Sequence, residues 1–118
     1  MTLMLATAAL GHVNPITVDS DWGSSNGTSP QTSAVRVLTV PAGNPGVIKW
    51  TSVATSGSFE YRKNGGAYAA VVDNATVSVA SSDTIQFRLT GAAFDTASIN
   101  VLDNTTNTSI GSWLSLLS

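Results

Sequence analysis

The chain has 118 residues, a length that suits one domain around one core. Charged side chains make up only 10% of it, the net charge is −2, and there is no cysteine. Those values leave no electrostatic footprint for nucleic acid, no disulfide framework and no thiolate metal site. Solubility then rests on Ser, Thr and Asn. A neutral polar surface of this kind suits a protein that lies against other protein, because unpaired charge is costly to bury at an interface.

The first residues, MTLMLATAALGH, are apolar but lack the basic n-region of a secretory signal, although ATAAL holds small residues of the type signal peptidase accepts. The stretch is far too short to span a bilayer, so no membrane partner is expected. It reads as an apolar arm, about 1–14, that packs on the body or on a neighbour. The absence of cysteine fits folding in a reducing cytoplasm.

Pro15 to Val18 is a short strand candidate, followed by Asp19-Ser20-Asp21-Trp22-Gly23. Ser24 to Ser33 is filled with Ser, Asn, Gly, Thr, Pro and Gln, and is expected to be a loop. The next strand starts with Val35 and Val37 and ends at Pro41. Asn44-Pro45-Gly46 turns the chain into Val47 to Val53, where Ile48 and Trp50 share one face while Lys49 and Thr51 share the other. Trp50 is read as a core plug on an early central strand. Phe59 and Tyr61 alternate with Ser58, Glu60 and Arg62, and Asn64-Gly65-Gly66 then supplies a hairpin turn that needs positive φ. A return strand holds Tyr68 and Val71, and Val77 and Val79 alternate in the next. The cleanest pattern follows, with Ile85, Phe87 and Leu89 inward and Thr84, Gln86, Arg88 and Thr90 outward. Ile99 and Val101 mark another strand, and Asp103-Asn104 opens a polar turn.

The last segment, about 108–118, is apolar on both parities: Ile110, Leu114 and Leu116 on one, Trp113 and Leu117 on the other. Such a strand is either buried between layers or covered by another chain. Turn signals recur every 8–12 residues or so, and no window shows a helical stripe. The expected fold is a single antiparallel β-sandwich over 1–118, Ig-like, with about seven to nine short strands.

Chemistry-bearing patterns are weak. Asp19-Ser20-Asp21 with Asn26 and Gly27 faintly suggests a calcium loop, but the fifth and twelfth positions of an EF-hand would be Gly23 and Pro30, so an Asx-rich turn is the better account. His12 is the only histidine and has no triad or metal partner by spacing. No Ser sits in G-x-S-x-G. A single Glu among the acids argues against paired carboxylates for glycoside cleavage. Glu60 is placed to pair with Lys49 or Arg88 across strands. No catalytic, cofactor-binding or metal-ligating residue is assigned.

The segments WTSVATSGSFEYRKNGG (Trp50 to Gly66), SSDTIQFRLTG and DNTTNTSIGSW resemble Ig-like β-sandwich domains of tailed-phage virion proteins. Such domains occur as capsid decoration (cement) proteins and as modules on tail or fibre proteins. The resemblance spans roughly residues 46 to 113, with Ser82-Asp83-Thr84 where those domains usually have Gly-Asp-Thr. It implies binding, with no chemistry. The expected function is therefore a homo-oligomeric decoration protein on the capsid surface of the virion, made in the host cytoplasm, whose partners are the major capsid protein or other virion proteins. Leu3, Leu5, Leu10, Trp113, Leu114, Leu116 and Leu117 are the candidate interface residues. The alternative is a tail- or fibre-associated adhesive module that stacks host cell-surface glycan on Trp22 and Tyr68.

Overall fold

The structure, a computed structural model, describes residues 12–118. The arm residues Leu3, Leu5 and Leu10 lie outside them. Two sheets account for all regular structure among the described residues. The first is ordered β1 (Thr17–Val18), β4 (Arg36–Thr39), β9 (Thr84–Thr90), β6 (Ser58–Lys63), β7 (Ala69–Ala70), with β3 (Gln31–Thr32) pairing farther along β9. The second is ordered β2 (Gly23–Gly27), β11 (Ser109–Leu117), β10 (Thr96–Asp103), β5 (Val47–Ala54), β8 (Thr76–Ser78). Every pair is antiparallel except β2 and β11, which run parallel from Trp113↔Gly23 to Leu117↔Gly27.

The all-β sandwich is as expected from the alternating apolar pattern. Eleven strands are present where about seven to nine were expected. The surplus is β2 and the two-residue β3, which occupy most of the stretch from Ser24 to Ser33 that was expected to be a loop. The sequence GSSNG has no apolar alternation, so its strand conformation is set by the backbone of β11 rather than by its own side chains.

The side chains that interleave between the sheets form one aromatic centre. Phe87 stands in the middle of it, with ring centroids 5.4 Å from Trp22, 5.9 Å from Trp50, 6.2 Å from Phe59 and 6.2 Å from Trp113. Each indole N–H has an acceptor: Trp22 Nε1 donates to Ile85 O at 3.0 Å, Trp50 Nε1 to Val72 O at 3.1 Å, and Trp113 Nε1 to Ser25 Oγ at 3.0 Å. An unpaired indole donor in this core would cost about 1–3 kcal/mol, so these bonds fix the ring orientations as well as the packing. Trp22 lies against Gly111, where an added Cβ would stand 2.9 Å from the ring.

Turn chemistry behaves as the residues require. Asn64 and Gly65 adopt φ of 55° and 68°, the left-handed pair of a tight hairpin. Ser82 takes φ of 76°, a left-handed conformation that a non-glycine residue adopts at some steric cost.

One carboxylate is buried without a cation. Asp103 Oδ2 accepts from Ile16 N at 2.8 Å and Asn44 Nδ2 at 2.7 Å, while Oδ1 accepts from Thr105 N at 2.7 Å and Thr106 N at 3.0 Å. Burial pushes its carboxyl upward, but the donors from Ile16, Thr106, Asn44 and Thr105 outweigh that and hold it below the usual carboxylate range. Four donors from three separate segments thus close one end of the sandwich on a single side chain.

Candidate functional site

β11 sorts the C-terminal candidates by parity. Trp113 and Leu117 point inward, are fully buried, and belong to this chain's own core. That corrects their assignment to an intermolecular surface: the two apolar parities of the strand face different surroundings. Leu114 and Leu116 point outward and are 55% and 38% exposed. Ile110 had been grouped with them. A register slip places it between the pairs Val101↔Gly111 and Leu102↔Ser109, and this bulge turns it back against the core.

The pairings define the outer face of the five-stranded sheet in rows. Ser24, Leu114, Ser98 and Val53 lie side by side across β2, β11, β10 and β5. Asn26, Leu116 and Thr96 form the next row towards the C-terminal end of β11. On the other side run Ser112, Asn100 and Thr51. Leu114 and Leu116 therefore make a ridge among small polar side chains. A groove of about 580 Å³ runs on one flank, lined by Thr51, Val53, Asn74, Ser98, Ser112 and Leu114 among others. A smaller one of about 280 Å³ runs on the other flank over Ser24, Ser25 and Asn26. Asp73 is the one charged side chain among the described residues lining the larger groove, and its Oδ1 already accepts from Ser52 N at 2.8 Å.

Phe94 stands beyond the Thr96↔Leu116 pair, at the end of the same two strands. Its N donates to Leu117 O at 2.6 Å, and Leu117 N donates to Asp95 O at 2.9 Å. The ring is 80% exposed and the backbone has φ of 70°, which a bulky residue adopts only where its surroundings impose it. Asp95 imposes it here. Its Oδ1 accepts from Ser56 Oγ at 2.6 Å and Thr55 Oγ1 at 3.3 Å, and its Oδ2 accepts from Ala92 N at 3.0 Å. The donor from Ser56, then that from Ala92, holds the Asp95 carboxyl below the usual range against a smaller upward push from burial.

Neither aromatic residue of the glycan reading offers a free platform. Trp22 is 3% exposed and packs edge-on to Phe87, so no sugar reaches its ring; this corrects its assignment to glycan binding. Tyr68 is half-buried on the outer face of the six-stranded sheet, with the Arg88 guanidinium 3.7 Å from its ring centroid and Arg62 at 4.9 Å. The same cluster contains the ion pair Arg88–Glu60 at 2.8 Å, one of the two pairings expected for Glu60, and the bond from Arg62 Nε to Gln86 Oε1 at 2.9 Å.

Among the described residues no three His, Asp or Glu side chains come together as a metal site, and His12 bonds only Asn14 Oδ1, at 3.0 Å. No helix among them is long and apolar enough to cross a membrane. Apart from Lys49 on β5 and Asp73 in the larger groove, the chemistry available on the outer face of the five-stranded sheet is that of apolar contact and neutral hydrogen bonding. Val53 and Phe94 escaped the sequence reading. Parity from Ile48 and Trp50 already sets Val53 outward, whereas Phe94 had only the oddity of an aromatic residue in a small-residue loop. No family model, curated protein or solved structure matches the chain.

Proposed function

We propose that this chain is a structural protein of a tailed-phage virion, of the capsid decoration or cement type, that acts as a homo-oligomer and carries no catalytic activity. In this reading the outer face of the five-stranded sheet seats on the major capsid protein or another virion protein, at the capsid surface, after synthesis in the host cytoplasm. The observation that carries it is the ridge of Leu114 and Leu116, raised above uncharged small side chains on a rigid two-sheet body. Burying each leucine side chain contributes up to about 1.5–3 kcal/mol, and its neighbours in the sheet rows, Ser24, Ser98, Asn26 and Thr96, carry no charge to desolvate. Symmetric repetition over a shell multiplies a modest single contact. The Ig-like character belongs to the same proposal, supported by the resemblance of the segments between residues 46 and 113 and by a first strand of one sheet lying parallel to the last.

The glycan-binding alternative lacks support, since Trp22 is inside the core and Tyr68 is covered by Arg88. Purified virions of the encoding phage tests the assembly reading. The chain should remain with particles through a density gradient, and the double change Leu114→Ser, Leu116→Ser should lower its retention by about tenfold or more, equivalent to about 1.4 kcal/mol. Particles that band without the unaltered chain would overturn the proposal.

A further inference from the structure

β2 closes one side of the five-stranded sheet, and at five residues it is longer than the other end strands, β1, β7 and β8. Ser118 N donates to Gly27 O at 2.9 Å, so Gly27 turns its peptide groups towards β11, and by the period of two so does Ser25. Ser24 and Asn26 therefore turn theirs the other way. Among the described residues, no donor or acceptor meets the main-chain N–H or C=O of either.

An edge of this kind is a template for another strand unless charge, proline or a bulge blunts it. GSSNG has no charged residue and no proline, and its register runs unbroken from Trp113↔Gly23 to Leu117↔Gly27. At the other side of the same sheet β8 is only three residues long, and Lys63 Nζ donates to Ser78 O at 3.1 Å. The unprotected edge is the one beside the Leu114–Leu116 ridge.

We propose that β2 pairs antiparallel with β2 of a second copy, about a two-fold axis through Ser25, joining two five-stranded sheets into one. The inference rests on the homo-oligomer of the reading above and names its seam. The occupant follows from the strand's match to itself. A two-fold axis through Ser25 sets Ser24 of each copy opposite Asn26 of the other. Both residues turn N–H and C=O outward, so each such pair exchanges both of its hydrogen bonds. An axis through Ser24 or through Asn26 leaves the other of them facing Trp22 or Thr28, outside β2. The same patch must accept itself in an isologous contact, and small neutral side chains do so without repulsion.

The pairing also makes the two outer faces continuous. Leu114 lies beside Ser24 and Leu116 beside Asn26, so across the seam Leu114 and Ser24 of one copy share a row with Asn26 and Leu116 of the other. The two ridges then run antiparallel three strand spacings apart, about 14 Å. The groove of about 280 Å³ over Ser24, Ser25 and Asn26 becomes a trough walled by leucines of both copies. A seam of one strand pair falls below the roughly 1,200 Å² of stable complexes, so the free dimer is weak. On a repetitive surface its two faces engage together, and the second contact is gained at high effective concentration.

Sedimentation equilibrium of the full-length chain tests this. The unaltered chain should pass from monomer to dimer between about 1 μM and 1 mM. The double change Ser24→Lys, Asn26→Lys sets like charges opposite each other across the seam and should weaken the dimer about fivefold or more. The double change Ser24→Glu, Asn26→Lys alters the same two positions but pairs unlike charges in this register, and should associate at least as tightly as the unaltered chain. Equal weakening by both doubles would overturn the proposal, and so would a chain that stays monomeric to about 1 mM. Amide exchange gives a second readout. Protection of Ser24 N and Asn26 N should rise with protein concentration. Protection already complete at every concentration would mean that another segment of the same chain holds the edge, and would overturn the proposal.

The two readings fail separately. A chain that accompanies particles but never dimerises keeps the docking face and removes the seam. A dimer that obeys the charge pattern in a chain absent from particles keeps the seam and removes the virion partner.

Discussion

On the outer face of the six-stranded sheet, Glu60, Arg62, Gln86, Arg88 and Tyr68 satisfy one another through an ion pair, a side-chain hydrogen bond and guanidinium–ring stacking. On the outer face of the five-stranded sheet, Leu114, Leu116 and Val53 rise from neutral small residues with no such internal network. Both faces follow from the same period of two, so the difference lies in what occupies the outward parity. A face whose polar groups already hold each other gains little from a partner. A face of unpaired aliphatic side chains gains from any surface that removes it from water.

The sharpest way to break this comparison lies within β11 itself. Trp113→Ala should destabilise the fold by about 3–5 kcal/mol in chemical denaturation, as large-to-small changes in a packed core do. Leu114→Ala, one residue on, should stay within about 0.5 kcal/mol. Similar losses for the two would mean that the outward parity is core as well.

Next comes the seam on which both sheets depend. Asp103→Asn keeps the shape but removes the charge and half of the acceptor capacity for four donors, and should cost about 2–3 kcal/mol. Asp103, Asp83 and Asp95 are all held below the usual carboxylate range in the folded chain, for Asp83 chiefly by the Asn64 side chain and then by Ala80 N. The folded state therefore binds fewer protons at these sites than the unfolded state does. Their contribution is fully present above the unfolded value of about 3.9 and is lost as pH falls through the lower folded values. Stability measured from pH 6 down to pH 2 should fall below about pH 4, and less steeply in Asp103→Asn than in the unaltered chain.

Smaller effects are expected on the networked face. Glu60→Ala breaks a pair whose side chains are partly solvated, and should cost about 0.2–1 kcal/mol while leaving particle retention unchanged. A large loss of retention would mean that the networked face also docks. Smallest of all is Ser115→Ala. Ser115 Oγ is buried with no hydrogen-bond partner, so removing it should leave stability unchanged or raise it by up to about 1 kcal/mol, read as a shift in the denaturation midpoint.

Side-chain patterning made much of this readable in the sequence. β9 was legible because Ile85, Phe87 and Leu89 alternate with polar residues over its whole length. The Asn64-Gly65 turn was legible because few other dipeptides accept its φ values. β2 was not, since a strand held by parallel pairing to β11 leaves no trace in GSSNG. For β11, two apolar parities left open which one faces the core, and only its pairing with β10 decides that Trp113 turns in and Leu114 out. Trp22 sits in a run of turn-forming residues, so nothing local signals that it closes the core against Phe87. Asp103 could be read as a turn residue, and it is one, but its bond to Ile16 spans 87 positions and no local pattern encodes it.

That bond also decides where mechanical load goes. β1 is a two-residue edge strand and would peel readily if tension on the N-terminal segment were borne by its own pairing with β4. Ile16 is moored instead to the end of β10, the central strand of the other sheet, flanked on both sides by β11 and β5. A pull applied at Ile16 is thus shared across the thickness of the sandwich instead of falling on the β1 edge alone.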